Sequence, residues 1–294
     1  EILRTHVLRP TWHFVTPADI RWMLMLTAPR IQALNNPYYR QVGMDEVQLQ
    51  RSVEVMAGAL QGGKHLTREA LADALHGAGI DTKGALRYPY ILMNAELEGV
   101  ICSGARQGKH HTYALMDERV PPTSAIPRDE ALAALLRRYL ISRGPVTLKD
   151  FVRWSGLTVA DAKAGIALLR SEVREELIDE QSYWYHVDMT PTEPTLPVAQ
   201  WLPNYDEYLY GYTDGFSAID GKALEGAYSR NFTHGIVLNG KVVGVWHRTL
   251  KAKTIELASI MLTVLSDEEN AAIAAAAQRL GDFLGLRVVM KDGG

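Results

Sequence analysis

Hydroxyl and titratable side chains alternate with apolar ones near the start of the chain, in the stretch RTHVLRPTWHFV. Thr11 and His13 are two residues apart, so on a strand their side chains would share one face. A histidine in such a position can bind a phosphate group or help to position a water molecule, although it can equally be a structural histidine of a hairpin. Both interpretations stay open.

A second group that could do chemistry lies in the C-terminal third, where Asp206 and Glu207 follow Pro203 in a turn-like segment. Adjacent carboxylates can supply a general base, whereas most such pairs cap a turn or pair with arginines. Asp206 is therefore a candidate catalytic residue, and capping is its alternative role.

Cationic side chains form four short clusters whose chemistry suits the phosphates of nucleic acids. They lie in the opening stretch, near residue 87, around the glycine-flanked turn at residues 104–108, and after Trp246. The alternative in each case is a solvated surface segment without a ligand. The predicted DNA-contacting residues are Arg4, Arg9, Arg87, Tyr88, Arg106, Lys109, His110, His111, Arg248, Lys251 and Lys253.

Metal chemistry has little support in the sequence. His110 and His111 are adjacent on a predicted strand, so their side chains face opposite ways. Cys102 is the single cysteine, which excludes an intramolecular disulfide and a cysteine-based zinc site and fits a reducing cytosol. We expect no metal site.

Composition limits the class of protein. A length of 294 residues is enough for two or three domains, and 47% hydrophobic with 22% charged residues is ordinary for a globular protein. A net charge of -3 excludes a uniformly basic nucleic-acid binder but leaves room for a local basic face. No apolar run approaches the roughly 20 residues that span a bilayer, so we expect no membrane association.

Two segments share one predicted order of elements: a helix, a short capped helix, a longer helix and a two-stranded ribbon. The first has helices at 47–60, 67–76 and 84–97 and a ribbon at 100–115; the second has helices at 129–141, 147–154 and 158–171 and a ribbon at 174–187. This order is typical of a helix-turn-helix with a wing. The opening hairpin at residues 4–15 would then be the wing of another such unit, since a hairpin is not stable alone, and we expect the helices of that unit before residue 1.

The remaining elements follow from local signals. Thr16, Pro17 and Asp19 predict a helix start, with the helix ending near Pro29 and a loop at 35–37. Three prolines in residues 190–197 predict a linker. Beyond it, the pattern predicts strands at 235–238 and 242–248 around an Asn-Gly turn, a strand at 254–265, a helix at 270–284 and a last strand at 287–290.

The predicted fold class is α+β, with tandem winged helix-turn-helix units followed by a small antiparallel β-barrel and a C-terminal helix. The predicted domains are a remnant of a first winged-helix unit at 1–45, a second unit at 46–122, a third unit at 123–188, a linker at 189–200, and the barrel with its helix at 201–294.

Several stretches resemble a known family, the winged-helix DNA-binding family that includes the AlkZ-like DNA glycosylases. They are RTHVLRPTWHFV, LRYPYILMNAELEGVICSG, YALMDERVPP, WLPNYDEYLYGY and GKVVGVWHRTL, in the order of the family along nearly the whole chain. The resemblance implies three winged helices and a barrel that embrace duplex DNA. It also implies hydrolysis of the N-glycosidic bond of alkylated purines, crosslinks included, without a metal or organic cofactor.

The catalytic motif of that family is Gln-x-Gln or Gln-x-Asp, upstream of the part that resembles residues 4–15. This sequence has a Gln-x-Gln only at residues 48–50, in a predicted helix of the second unit. Residues two apart on a helix point about 200° from each other, so these amides would not converge on one water molecule. We interpret this match as coincidence and expect the catalytic segment to lie outside the sequence. The resemblance places the opening strand beside that segment, near the lesion, and so implies that Thr11 and His13 are candidate catalytic residues.

The resemblance predicts a DNA-repair protein that acts on damaged duplex DNA, as a cytoplasmic monomer associated with the nucleoid. An alkylated purine is a good leaving group, so the intact enzyme need only stabilise an oxocarbenium-like sugar and place a water, which neutral glutamine amides can do. Full extrusion of the base would not be required. The alternatives are a non-enzymatic DNA binder with a regulatory or architectural role, and a protein-binding scaffold with no nucleic-acid role.

Overall fold

A computed structural model describes residues 2–190, 193–213 and 234–292. The chain divides into two compact units, Glu1–Met189 and Thr190–Gly294. The described residues contain ten helices, and their strands form four sheets. The predicted α+β class is therefore confirmed. No described helix combines the length and the apolar composition that crossing a membrane requires.

The first unit begins with the predicted hairpin. Strand β1, Leu3–His6, pairs antiparallel with β2, Trp12–Val15, and Thr5 lies opposite His13. The prediction that Thr11 lies on the strand is wrong. Its backbone N–H donates to the Arg9 carbonyl at 2.7 Å, so a tight turn ends at Thr11 and β2 begins one residue later.

Helix α1, Pro17–Gln41, starts where its cap predicted, after Thr16, but it does not end near Pro29. The helix continues through Pro29 and Pro37, so the predicted loop at 35–37 is wrong. An internal proline costs about 3 kcal/mol in a helix. Burial of Ile31, Asn35 and Tyr39 along the second half of the helix offsets this cost.

The next elements follow the predicted order for residues 46–122. They are α2, Glu46–Leu60; β3, Leu66–Thr67; α3, Arg68–Gly77; α4, Arg87–Leu97; β4, Ile101–Ser103; β5, Thr112–Leu115; and α5, Met116–Arg119. The strands form one antiparallel sheet in the order β3-β5-β4. The helices enclose one apolar core around Met56, Leu71 and Ile91, which holds the β4–β5 ribbon in place.

The rest of the first unit repeats this order. It contains α6, Arg128–Arg143; α7, Leu148–Ser155; α8, Val159–Leu168; β6, Val173–Ile178; and β7, Gln181–His186. Thr147 and Thr158 cap α7 and α8, and each takes part in a capping box with the aspartate three residues later. Val146 forms an isolated bridge with Trp184, at the place where β3 pairs in the preceding segment.

The second unit is built around a five-stranded sheet. Its elements are β8, Ala199–Trp201; α9, Glu207–Tyr210; β9, His234–Leu238; β10, Lys241–Leu250; β11, Thr254–Met261; α10, Asp267–Leu284; and β12, Arg287–Asp292. Asn239 and Gly240 both have positive φ and form the predicted hairpin turn. Strand β8 begins at Ala199, so the predicted linker at 189–200 extends too far at its C-terminal end.

The prediction of a wholly antiparallel sheet in the second unit is wrong, because β11 and β12 pair in parallel. Helix α10 connects these two strands and returns the chain to the end of the sheet at which β11 begins, and a parallel pair requires such a connection. Among the described strands the order is β12-β11-β10-β9-β8, an open sheet rather than a closed barrel.

Candidate nucleic-acid interface

A cavity of about 350 Å³ lies between the opening hairpin, the start of α3 and the β4–β5 ribbon. Its arginine, lysine, glutamate and histidine lining consists of Arg4, Arg68, Glu69, Lys109, His110 and His111. Four of these, all except Arg68 and Glu69, were predicted as DNA contacts from two separate stretches of sequence. Arg68 was not, although its position directly after the capping residue Thr67 could have indicated a cation at a helix start.

Arg4 is held in this cavity by an aromatic side chain and by a neighbouring strand. Its guanidinium carbon lies 4.4 Å from the centroid of the Trp12 ring, a cation–π distance. Tyr113 of β5 lines the same cavity, and the Arg4 backbone N–H donates to Ser103 Oγ at 2.8 Å. The opening hairpin is thus tied to the β4–β5 ribbon at the cavity.

A buried carboxylate lies next to this arrangement. Glu96 of α4 is completely buried, and its Oε2 is hydrogen-bonded by Nδ1 of His6, which is also buried. The same oxygen accepts a hydrogen bond from Trp12 Nε1 at 3.2 Å. The sequence analysis did not select Glu96, although a glutamate inside the apolar run ILMNAEL is an available signal.

The tip of the β4–β5 ribbon carries exposed cations. Gly108 has a φ of +59°, and Gln107 and His110 exchange two backbone hydrogen bonds across the turn. Arg106, Lys109 and His110 are exposed around it. Burial, followed by the positive charges of Arg4 and Arg106, lowers the pKa of His111. His111 is thus predominantly neutral at pH 7, so the fixed positive charge of this face comes from Arg4, Arg68, Arg106 and Lys109.

His13 faces away from the cavity. It is paired with Thr5 in the hairpin register, and cross-strand partners share a face, opposite to that of Arg4 and Trp12. Its Nδ1 donates to the Thr11 carbonyl at 3.0 Å, and its Nε2 lies 3.3 Å from Arg9 Nη2, which suits the Nδ1–H tautomer. The candidate residues Thr11, His13 and Arg9 therefore form one small cluster at the hairpin loop.

Arg87 and Tyr88 make structural contacts in place of the predicted surface role. Arg87 Nη1 donates to the Val42 carbonyl at 3.0 Å, next to the end of α1. The Tyr88 ring is in the apolar core, its hydroxyl donates to the Arg68 carbonyl, and burial raises its pKa well above 10. The prediction that Tyr88 contacts DNA is wrong because α4 turns this side chain inward.

The predicted residues of the second unit are partly committed to local contacts. Asp206 Oδ1 accepts a hydrogen bond from the Tyr208 backbone at 2.9 Å and caps α9, which is the alternative role named for it. Lys251 Nζ lies 2.6 Å from Glu256 Oε1, and this contact lowers the pKa of Glu256. Arg248 and Lys253 are exposed at the same end of the β10–β11 hairpin.

As predicted, the side chains of Gln48 and Gln50 do not converge. Gln48 Oε1 accepts from the Asp45 backbone in a capping box, while Gln50 Nε2 donates to Glu54 Oε1 at 3.1 Å. Within residues 2–190, 193–213 and 234–292, no three His, Cys, Asp or Glu side chains are placed to hold a metal ion.

Comparisons with known proteins agree over almost the whole chain. The family model described as "DNA glycosylase AlkZ-like" matches residues 1–283. The interstrand DNA cross-link repair glycosylase of Streptomyces sahachiroi is 25% identical over 262 residues, which cover 83% of this chain and 70% of that protein. The solved structure of the S. sahachiroi DNA glycosylase AlkZ has the same fold, with a TM-score of 0.78 at 20% identity over 99% of this chain and 81% of that one. The chain therefore belongs to the AlkZ-like DNA glycosylase family, as the stretches of its sequence predicted.

Proposed function

We propose that this protein binds duplex DNA carrying alkylated or crosslinked purines and serves the hydrolysis of the N-glycosidic bond of the damaged base. The observation that carries the proposal is the convergence of Arg4, Arg68 and Lys109, from three different elements, on one cavity. Cations that converge on a concave surface are suited to binding successive phosphates of one strand. Family membership supplies the class of reaction.

The order of elements supports two winged-helix units, at residues 46–122 and 123–188. In the first, three helices precede the β4–β5 ribbon, with β3 as a third strand. In the second, three helices precede the β6–β7 ribbon, and the Val146 bridge takes the place of β3. On this proposal the opening hairpin is the wing of a further unit, at residues 1–45.

The two ribbons differ in charge, and this difference selects the face that binds DNA. The tip of the β4–β5 ribbon carries Arg106 and Lys109, whereas four exposed carboxylates lie on the β6–β7 ribbon, at Glu175, Glu176, Asp179 and Glu180. Carboxylates repel the phosphate backbone, so the β6–β7 ribbon is unsuited to it. Within residues 1–189, we therefore assign DNA contact to the cavity and the β4–β5 ribbon.

The chemistry required after binding is modest. An alkylated purine leaves readily because it carries positive charge, and the protein has to stabilise an oxocarbenium-like sugar and orient one water. Gln48 and Gln50 do not supply this function, because each is hydrogen-bonded to a different neighbour on its own helix or cap. Thr11 and His13 stay predictions for catalysis, and a cytoplasmic, monomeric, nucleoid-associated protein stays the prediction for its setting.

Binding to a duplex with an abasic-site analogue and to the plain duplex, each at about 50 and 200 mM salt, tests the proposed interface. We expect tighter binding to the analogue, and a steep loss of affinity with salt. Lys109→Ala should weaken binding to both duplexes and lower the salt slope by about 1. Arg174→Ala is the matched control, because it removes an exposed cation from the acidic ribbon, and it should leave both quantities unchanged.

Single-turnover release of 7-methylguanine from a methylated duplex separates the proposal from its alternatives. Release supports the glycosylase. Because we expect the Gln-x-Gln motif of the family outside this sequence, binding without release favours the non-enzymatic DNA binder only when a longer protein that carries this motif also releases no base. If the chain does not bind DNA at low salt, or if Lys109→Ala and Arg174→Ala have equal effects, the proposed interface is refuted.

A further inference from the structure

Glu96 is an unusual residue for the position it occupies. It lies in α4 with no exposed surface, among the apolar residues that pack this helix into the core. Both of its hydrogen-bond donors come from the opening hairpin, His6 on β1 and Trp12 on β2, which are paired directly opposite each other. One carboxylate oxygen thus connects α4 to both strands of the hairpin.

Stability alone does not account for this arrangement. Burial of a polar group away from water is costly, and replacement of both partners of a buried hydrogen bond by apolar side chains of the same shape is often neutral or stabilising. Removal of one partner alone leaves the other buried and unpaired, which is unfavourable. A role in orienting a neighbouring group is the stronger explanation, and Trp12 is the partner that reaches the surface.

Trp12 connects the buried carboxylate to the cavity. Its indole N–H points to Glu96, while the residue is 43% exposed and its ring lies under the Arg4 guanidinium. Tyr113 lines the same cavity, and its pKa is raised to about 12 by burial and then by the charge of Glu96, so the hydroxyl stays protonated beside Arg4. A rotation of the indole would remove the surface on which Arg4 is stacked.

We infer that Glu96 is a positioning residue for DNA binding: it fixes the Trp12 indole, and the indole in turn holds the Arg4 guanidinium toward a phosphate in the cavity. This inference rests on the proposed function. Glu96 itself does not touch the DNA, because it has no accessible surface. Its effect on affinity therefore has to act through Trp12 and Arg4.

A double-mutant cycle between Glu96 and Arg4 tests this inference, with affinity for the abasic-analogue duplex as the readout. Arg4→Ala should weaken binding about tenfold in the wild-type background, as expected for one charge-assisted contact. In the Glu96→Met background, which removes the acceptor at similar volume, the same change should cost less than about twofold, because Arg4 is already misplaced. Glu98→Met is the matched control at the C-terminal end of the same helix, since Glu98 is exposed and its side chain accepts a hydrogen bond only from Asn94 among the described contacts.

Two further variants keep the test decisive if Glu96→Met does not fold. Trp12→Phe removes the N–H donor but retains an aromatic ring, and it should show the same loss of coupling to Arg4. Glu96→Gln retains an oxygen that can accept from Trp12, so it should keep most of the wild-type affinity and most of the Arg4 effect. A merely structural role would lower stability in these variants without changing the effect of Arg4→Ala.

The position of the indole can be followed without DNA by ¹⁹F NMR of protein labelled with 5-fluorotryptophan. The chain has six tryptophans, and the Trp12 signal is the one that Trp12→Phe removes. This signal should shift or broaden in Glu96→Met, or in Glu96→Gln to a smaller extent, and stay unchanged in Glu98→Met. An unmoved signal together with an unchanged Arg4 effect overturns the inference while DNA binding stands. A wild-type protein that does not bind DNA overturns the proposed function, and this role with it.

Discussion

Replacement of Gly156 by alanine should disturb the opening hairpin from a position far away in sequence. Gly156 ends α7 with a φ of +70°, and a Cβ atom built there would lie 2.0 Å from the carbonyl oxygen and 3.1 Å from the carbonyl carbon of Leu8. Leu8 is a buried residue of the hairpin loop, and its own φ is +66°. The close neighbours are backbone atoms, so one of the two segments has to move.

The expected cost has two parts. A non-glycine residue in the left-handed region costs about 1–2 kcal/mol. Insertion of a methyl group into a packed site costs about 1–3 kcal/mol more. The sum, about 2–5 kcal/mol, corresponds to a fall of about 5–15 °C in the Tm of a unit of this size.

Gly79→Ala provides the control for backbone conformation. Gly79 follows α3 with a φ of +75°, and nothing lies within 4 Å of the Cβ position. Thermal unfolding of the two variants, followed by circular dichroism, should therefore show that Gly79→Ala lowers the free energy of unfolding by about 1–2 kcal/mol and that Gly156→Ala lowers it further. Equal losses in the two variants would refute the argument from the contact with Leu8.

Three other perturbations test separate parts of the structure. Thr147→Ala removes a buried cap whose Oγ1 accepts from the Asp150 backbone at 3.2 Å, and it should lower the free energy of unfolding by about 1–2 kcal/mol in urea titrations; a change below the error of the titration would contradict the capping role. Glu172 has its pKa lowered from 4.5 to about 2, first by the hydrogen bond from Arg137, so it stabilises the fold above pH 4.5, and this contribution should be lost as the pH falls toward 2. Arg137→Gln should flatten that part of the stability profile, and an identical profile would disprove the assignment. In the second unit, a Cβ at Gly281 would lie 2.3 Å from Val288 Cγ2 and 2.8 Å from the Leu286 carbonyl oxygen. Gly281→Ala should therefore destabilise this unit by about 1–3 kcal/mol. A Cβ at Gly285 meets no neighbour, so Gly285→Ala should cost only the free energy of placing alanine at a φ of +66°.

Element boundaries set by local chemistry could be predicted from the sequence. Thr147, Thr158 and Ser266 each bond a backbone N–H three residues away, and each starts a helix near the predicted place. The turn at Asn239 depends on two residues that tolerate positive φ. Such signals lie within four residues of their effect, so they can be identified without any knowledge of the fold.

Where packing outweighs local preference, prediction from the sequence failed. The prolines of α1 indicate a helix end, yet the buried face of residues 31–39 carries the helix through them. The parallel pairing of β12 depends on where α10 ends relative to the sheet, which no property of residues 287–292 reveals. In both cases the deciding contacts are with residues distant in sequence.

The candidate site shows the same division. The sequence alone determined the family, the α+β class and the cationic character of Arg4 and Lys109, because these depend on residue identity and order. The tertiary structure decided that Arg4 meets Lys109 at one cavity and that Glu96 holds Trp12, because those contacts join residues 84 or more positions apart, as between Trp12 and Glu96. The order of residues along the chain carries no direct record of such distances, and only the packing of the hairpin against α4 and the β4–β5 ribbon brings these groups together.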